Sequence, residues 1–165
     1  MEMESSKITE TYIKLLQDTL DRKLLVIREL LELSQQQSDC LKKESFDEEQ
    51  FDELMNQKEI LLEELNQLDS GFERAFELVR KEVTDHKNLY KNEIIALQGT
   101  IRTITDISVN IQAIEKRNKD AMIVVLSNKR KEIKNSKVQN QAVTNYYKTM
   151  ANQHEMQSFF YDKKK

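Results

Sequence analysis

From Ile8 to Val125 apolar side chains recur at steps of three and four residues, and no proline interrupts them anywhere in the chain. That spacing puts each set of apolar residues on one face of an α-helix. Turn-rich all-β folds need prolines and glycines at fixed turn positions, and the only glycines here are Gly71 and Gly99. The chain is therefore all-α. With 38% apolar and 33% charged residues, it is too polar for a thick core but suits narrow seams. The expected architecture is an elongated antiparallel helical bundle or coiled coil of three to four long helices.

The first stripe, Ile8, Tyr12, Leu15, Leu16, Leu20, Leu24, Ile27, Leu31 and Leu41, predicts a helix from about residue 6 to Lys43. Ser5 or Ser6 would cap it, and it would be roughly 55 Å long. Ser45-Phe46-Asp47-Glu48 then fits a capping box at a first turn. A second stripe follows through Phe51, Leu54, Met55, Leu61, Leu62, Leu65, Leu68, Phe72, Phe76, Val79 and Val83. Within it, Asp69-Ser70-Gly71 is either a stop or a weak point, because glycine weakens a helix interior and is favoured just past a helix end. Thr84-Asp85 is a second candidate break, either residue being able to cap a new helix.

The third element includes His86, Tyr90, Ile94, Ile95, Leu97, Ile101, Ile104, Ile107, Ile111, Ile114, Asn118, Met122 and Val125. Residues 100–111 are β-branched enough to suggest a strand. Length decides for helix, since the three-four spacing extends for many turns on both sides. Asn118 falls on this seam, where a buried amide fixes register at a cost in stability; the alternative is an Asn turned to the rim.

Beyond Ser127 the chain turns basic, and from about Val138 it becomes rich in Asn and Gln, with Val138, Val143, Tyr146, Tyr147 and Met150 at helical spacing. So short an amphipathic helix is marginal in water unless its apolar face is covered. Five of the eleven aromatic residues lie in the last twenty positions, the rest of that group being Phe159, Phe160 and Tyr161. The division expected is a helical body over residues 1–137 and a marginally ordered amphipathic tail over residues 138–165.

Charge is distributed unevenly, with net −10 over residues 1–70, +1 over 71–127 and +6 over 128–165. A basic arm on an acidic body is compatible with nucleic acid, but Tyr, Phe, Asn and Gln outnumber contiguous Lys and Arg there, which favours a protein partner or a fold-back on the chain's own first half. Cys40 alone makes no internal disulfide and is compatible with a reducing cytosol. The longest apolar run, residues 121–126, is about a third of a bilayer span. The acidic N-terminus lacks the apolar stretch of a secretory signal.

No catalytic, cofactor or metal constellation is found in the sequence. His86 and His154 lie in no HExxH or ExxH pairing, and the two glycines are too far apart for a phosphate loop. The acidic cluster Asp47, Glu48, Glu49 and Asp52 lacks the alternating ligands and central glycine of a calcium loop, and it suits a helix N-terminus. The affirmative signal is a binding surface, because aromatic and methionine anchors on an amphipathic helix are what partner helices meet.

The stretches Ile111-Gln112-Ala113-Ile114-Glu115-Lys116-Arg117-Asn118 and Tyr146-Tyr147-Lys148-Thr149-Met150, followed by Phe159-Phe160-Tyr161-Asp162-Lys163-Lys164, resemble the FlgN-type flagellar export chaperones, particularly those of clostridial bacteria. The resemblance implies a cytoplasmic, non-enzymatic chaperone that binds helical terminal segments of hook-associated proteins and delivers them to the flagellar type III export apparatus. It implies client contact through Val138, Val143, Tyr146, Tyr147 and Met150, with Met156, Phe159, Phe160 and Tyr161 beyond them. A chaperone of the filament cap protein and a coiled-coil scaffolding protein are the alternatives. A monomer or a homodimer is expected, with no cofactor, nucleic acid or membrane span.

Overall fold

A computed structural model gives the fold and describes residues 2–129 and 143–150. Three long helices, α1 (Glu2–Lys42), α2 (Glu48–Asp85) and α3 (Lys91–Lys129), are joined by two short connections. A further helical segment covers residues 143–150. The all-helical bundle expected from the sequence is what forms, and residues 100–111 lie inside α3.

The helix boundaries correct several expectations. α1 starts at Glu2, so Ser5 and Ser6 lie inside the helix rather than capping it. Nothing in the first residues breaks a helix, and acids in a first turn suit its positive end. The cap of α2 is Asp47, not Ser45: its carboxylate accepts a hydrogen bond of 3.0 Å from the Gln50 amide. Phe46 and Phe51, flanking that cap, pack with ring centroids 5.6 Å apart. This is a hydrophobic staple that fixes how the chain enters the helix. α2 then runs through Gly71 without a break and ends at Asp85, where the His86 amide donates to the Glu82 carbonyl at 3.0 Å. His86 is therefore an exposed residue of the connection, outside the third helix.

Cross-helix pairs set the levels of the bundle. Lys23 of α1 meets Asp69 of α2 at 2.5 Å, whereas further along α1 Gln37 meets Lys58, earlier in α2, at 2.5 Å, so α1 and α2 run antiparallel. Gln17 donates to Thr100 at 3.0 Å and Ser38 to Asn118 at 2.5 Å, so α1 and α3 run parallel. α1 packs against both neighbours, whereas no Cα of α2 comes within 8 Å of one in α3. α1 is thus the spine, with a groove between α2 and α3.

A spine touched on two sides buries a wider face than one stripe. Ile13, Val26, Leu30, Leu33 and Cys40 join Leu16, Leu20 and Ile27 in the core. Ile8 and Leu15, though on the expected stripe, are 57% and 48% exposed. The seams of α2 and α3 follow the sequence pattern more closely, with Leu65 and Ile111 fully buried. Each such side chain contributes about 1.5–3 kcal/mol.

Candidate functional site: a polar seat for residues 143–150

The seams carry charge at one level. Ser34, Gln37 and Ser38 stand on one face of α1 at helical spacing, Lys58 faces them from α2, and Glu115 and Asn118 from α3. Lys58 and Glu115 form an ion pair of 2.5 Å with both side chains almost fully buried. The Lys58 ammonium also donates to Gln37 Oε1 at 2.5 Å, and the Gln37 amide reaches the Phe51 carbonyl at 3.4 Å. Ser34 donates to Glu115 Oε1. Asn118 donates to the Ser34 carbonyl at 3.0 Å and accepts from Ser38, so at 2% exposure it is a seam residue and not a rim one.

Residues 143–150 complete this cluster. Tyr146, 2% exposed, donates its hydroxyl to Glu115 Oε1 at 3.0 Å, and Lys58 Nζ lies 4.0 Å from the centre of its ring. Val143 and Met150 are buried on the same face. Tyr147 is half-buried, edge-on to Tyr146 at 5.5 Å, with Lys119 5.8 Å over its ring. The segment therefore closes the groove between α2 and α3 over two turns, holding on through one phenol and two apolar side chains.

Burial dominates the electrostatics. It lowers the Lys58 ammonium from 10.5 to about 8, against the opposing pull of Glu115. Burial first, and the Glu115 carboxylate second, push the phenols of Tyr146 and Tyr147 well up. Glu115 Oε2 and the Tyr147 hydroxyl find no hydrogen-bond partner among the described residues. A second buried pair, Lys23 and Asp69, leaves Asp69 Oδ2 unpartnered, and burial raises that carboxyl. Charged pairs of this kind add little net stability, yet removing one partner is expensive. The cluster specifies register and holds the segment as a latch.

Of the residues predicted to bind a client, Val143, Tyr146, Tyr147 and Met150 come together on the body of the bundle, with all but Tyr147 deeply buried. Val138, Met156, Phe159, Phe160 and Tyr161 lie outside the described residues. Sequence reasoning singled out Asn118 but missed Lys58, Glu115, Ser34 and Gln37. A signal existed: Lys58 continues the three-four spacing between Met55 and Leu62, and Glu115 does so between Ile111 and Asn118. Cys40 is buried and burial pushes its thiol up, which disfavours the reactive thiolate. Among the described residues no group of three His, Cys, Asp or Glu side chains is placed to hold a metal ion, and no helix is long and apolar enough to cross a membrane.

Fold and site together define a class, the α-helical bundle that seats a short amphipathic segment of its own chain on a buried charged latch. No family model, curated protein or solved structure matches the chain.

Proposed function

We propose that this chain is a cytoplasmic chaperone of flagellar export that binds helical terminal segments of hook-associated proteins, keeps them from assembling early and delivers them to the flagellar type III export apparatus. The observation that carries this reading is the seat of residues 143–150, in which an amphipathic segment rests on Lys58 and Glu115 rather than on an apolar layer. A protein that polymerises through terminal helices exposes an apolar stripe while it is a monomer. A chaperone must cover that stripe and later let go.

The face formed by Val143, Tyr146, Tyr147 and Met150 matches such a stripe in chemistry, and it is covered by the body while no client is present. Client binding then exchanges one partner for another instead of exposing apolar surface. Ordering a segment against a client uses part of the interaction energy, which lowers affinity and favours release. In this reading Val138, Met156, Phe159, Phe160 and Tyr161 extend the contact along the same tail.

Deleting residues 138–165 should leave the body helical by circular dichroism and abolish binding to purified hook-associated proteins in calorimetry. Wild-type or tighter affinity in the truncated protein would show that the tail is not the contact.

A further inference from the structure

Residues 143–150 fill the groove between α2 and α3 at the level of Lys58 and Glu115. Phe72 lies fourteen residues beyond Lys58, about 21 Å along α2, and around it the groove forms a cavity of about 220 Å³ against α1. The deep part of its lining is Ile13 and Leu16 of α1, Phe72 and Val79 of α2 and Leu97 of α3, each 6% exposed or less. The rest is half-buried or, at Thr84 and Lys87, exposed. We infer that this cavity binds a medium-chain carboxylate, with the acyl chain inside and the carboxylate at Lys87.

Polarity sets the two ends of the ligand. Eight of the eleven lining residues are apolar, none is acidic, and Lys87 is the only charged one. Lys87 makes no ion pair with a described residue. Of the acids nearest to it in sequence, Glu82 and Asp85, neither lines the cavity, and Glu82 lies 3.9 Å from His86. The Thr84 hydroxyl is engaged with the Arg80 carbonyl at 2.7 Å. An apolar pocket with one cation at its edge takes a molecule that is apolar over most of its length and anionic at one end, since a buried charge without a partner is costly.

Size sets the chain. A cavity of about 150 Å³ holds benzene, so by proportion this one takes about nine non-hydrogen atoms. With the carboxylate outside at Lys87, nine carbons are the tail of decanoate, and octanoate fits with room left over. Longer chains protrude into water. The site is separate from the seat of residues 143–150, and its occupation requires no client.

Equilibrium dialysis of the full-length protein against carboxylates from hexanoate to tetradecanoate tests the assignment. Binding should saturate at one ligand per chain and tighten about fourfold for each methylene added up to decanoate. Beyond decanoate it should level off. Lys87→Met should weaken octanoate about two- to fivefold, the range of an exposed ion pair, and leave octan-1-ol unchanged. Val83→Phe, which fills the half-buried edge of the cavity, should reduce both ligands at least tenfold while helicity is kept; Ile94→Phe serves if that variant unfolds. Absence of saturable binding overturns the inference and leaves the cavity to a protein side chain. Affinity that keeps rising to tetradecanoate overturns it as surface adsorption. It also fails if octylammonium binds as tightly as octanoate, if Lys87→Met leaves octanoate unchanged, or if the phenylalanine variants leave binding intact.

Discussion

Replacing Lys58 by methionine removes the cation from the bundle and leaves Glu115 buried against two hydroxyls. The Lys58 side chain is 0% exposed and that of Glu115 3%, and their 2.5 Å contact is the carboxylate's only salt bridge among the described residues. Breaking such a pair from one side costs about 3–5 kcal/mol, because the surviving charge stays desolvated. Glu115→Leu should cost less, since Lys58 already titrates at about 8 and sheds its proton more easily than an ordinary lysine. The double variant replaces the pair by apolar side chains. Its gain of about 1–4 kcal/mol from discarding two buried charges is offset by the hydrogen bonds that Gln37, Ser34 and Tyr146 lose, about 1–3 kcal/mol for each group left unsatisfied. Urea unfolding followed by circular dichroism on the wild type, both single variants and the double variant gives the coupling energy. The double variant should be more stable than Lys58→Met alone. If the two losses simply add, the ion pair is not the unit that the cluster is built on.

The remaining predictions concern pH and the glycines. A lysine whose pKa is lower in the folded than in the unfolded chain binds fewer protons folded between the two values, so its contribution raises stability as pH climbs from about 8 toward 10.5. Above 10 the raised phenols of Tyr146 and Tyr147 act oppositely, holding protons that the unfolded chain has lost. Stability measured against pH should therefore rise above 8 and turn down beyond 10, and the rise should vanish in Lys58→Met. Gly71→Ala and Gly99→Ala should each stabilise the fold by about 0.5–1 kcal/mol, because glycine is a poor helix residue. In both places an added Cβ meets no atom within 4 Å, so a loss of stability on thermal melting would contradict the helix interior assigned to them.

The long-range plan of the fold was legible because it rests on periodicity. The stripe from Phe51 to Val83 predicts both the length of α2 and its buried face, and it passes Gly71 as the helix does. What periodicity does not encode is how many neighbours a helix has. Ile8 and Leu15 look like core residues on a helix with one partner, but α1 has two, and its buried face is broader and rotated. The start of α2 is harder to read for a similar reason: Ser45 and Asp47 both have the chemistry of a cap, and only the approach of Phe46 to Phe51 decides between them.

The site was half legible. Tyr146 and Met150 stand out as apolar residues on a polar segment, but the partners that hold Tyr146 are Lys58 and Glu115, which in composition are two more charges on solvated helices. Their burial follows from the meeting of three helices at one level. A charged residue at a seam position is the trace this leaves in the sequence, and it reads as a latch only once its counterpart is seen opposite.

The central claim is that residues 143–150 must leave their seat before a client is bound. Lys119→Cys and Tyr147→Cys, whose native side chains lie together, can be joined by a cleavable bis-maleimide, while Cys40 stays buried and protonated. Calorimetry against a hook-associated protein should then show no binding in the linked protein and, once the linker is cut, the affinity of the same double variant before linking, which is itself weakened by the loss of the Tyr147 ring. Equal affinity in the linked and cut forms would contradict the claim.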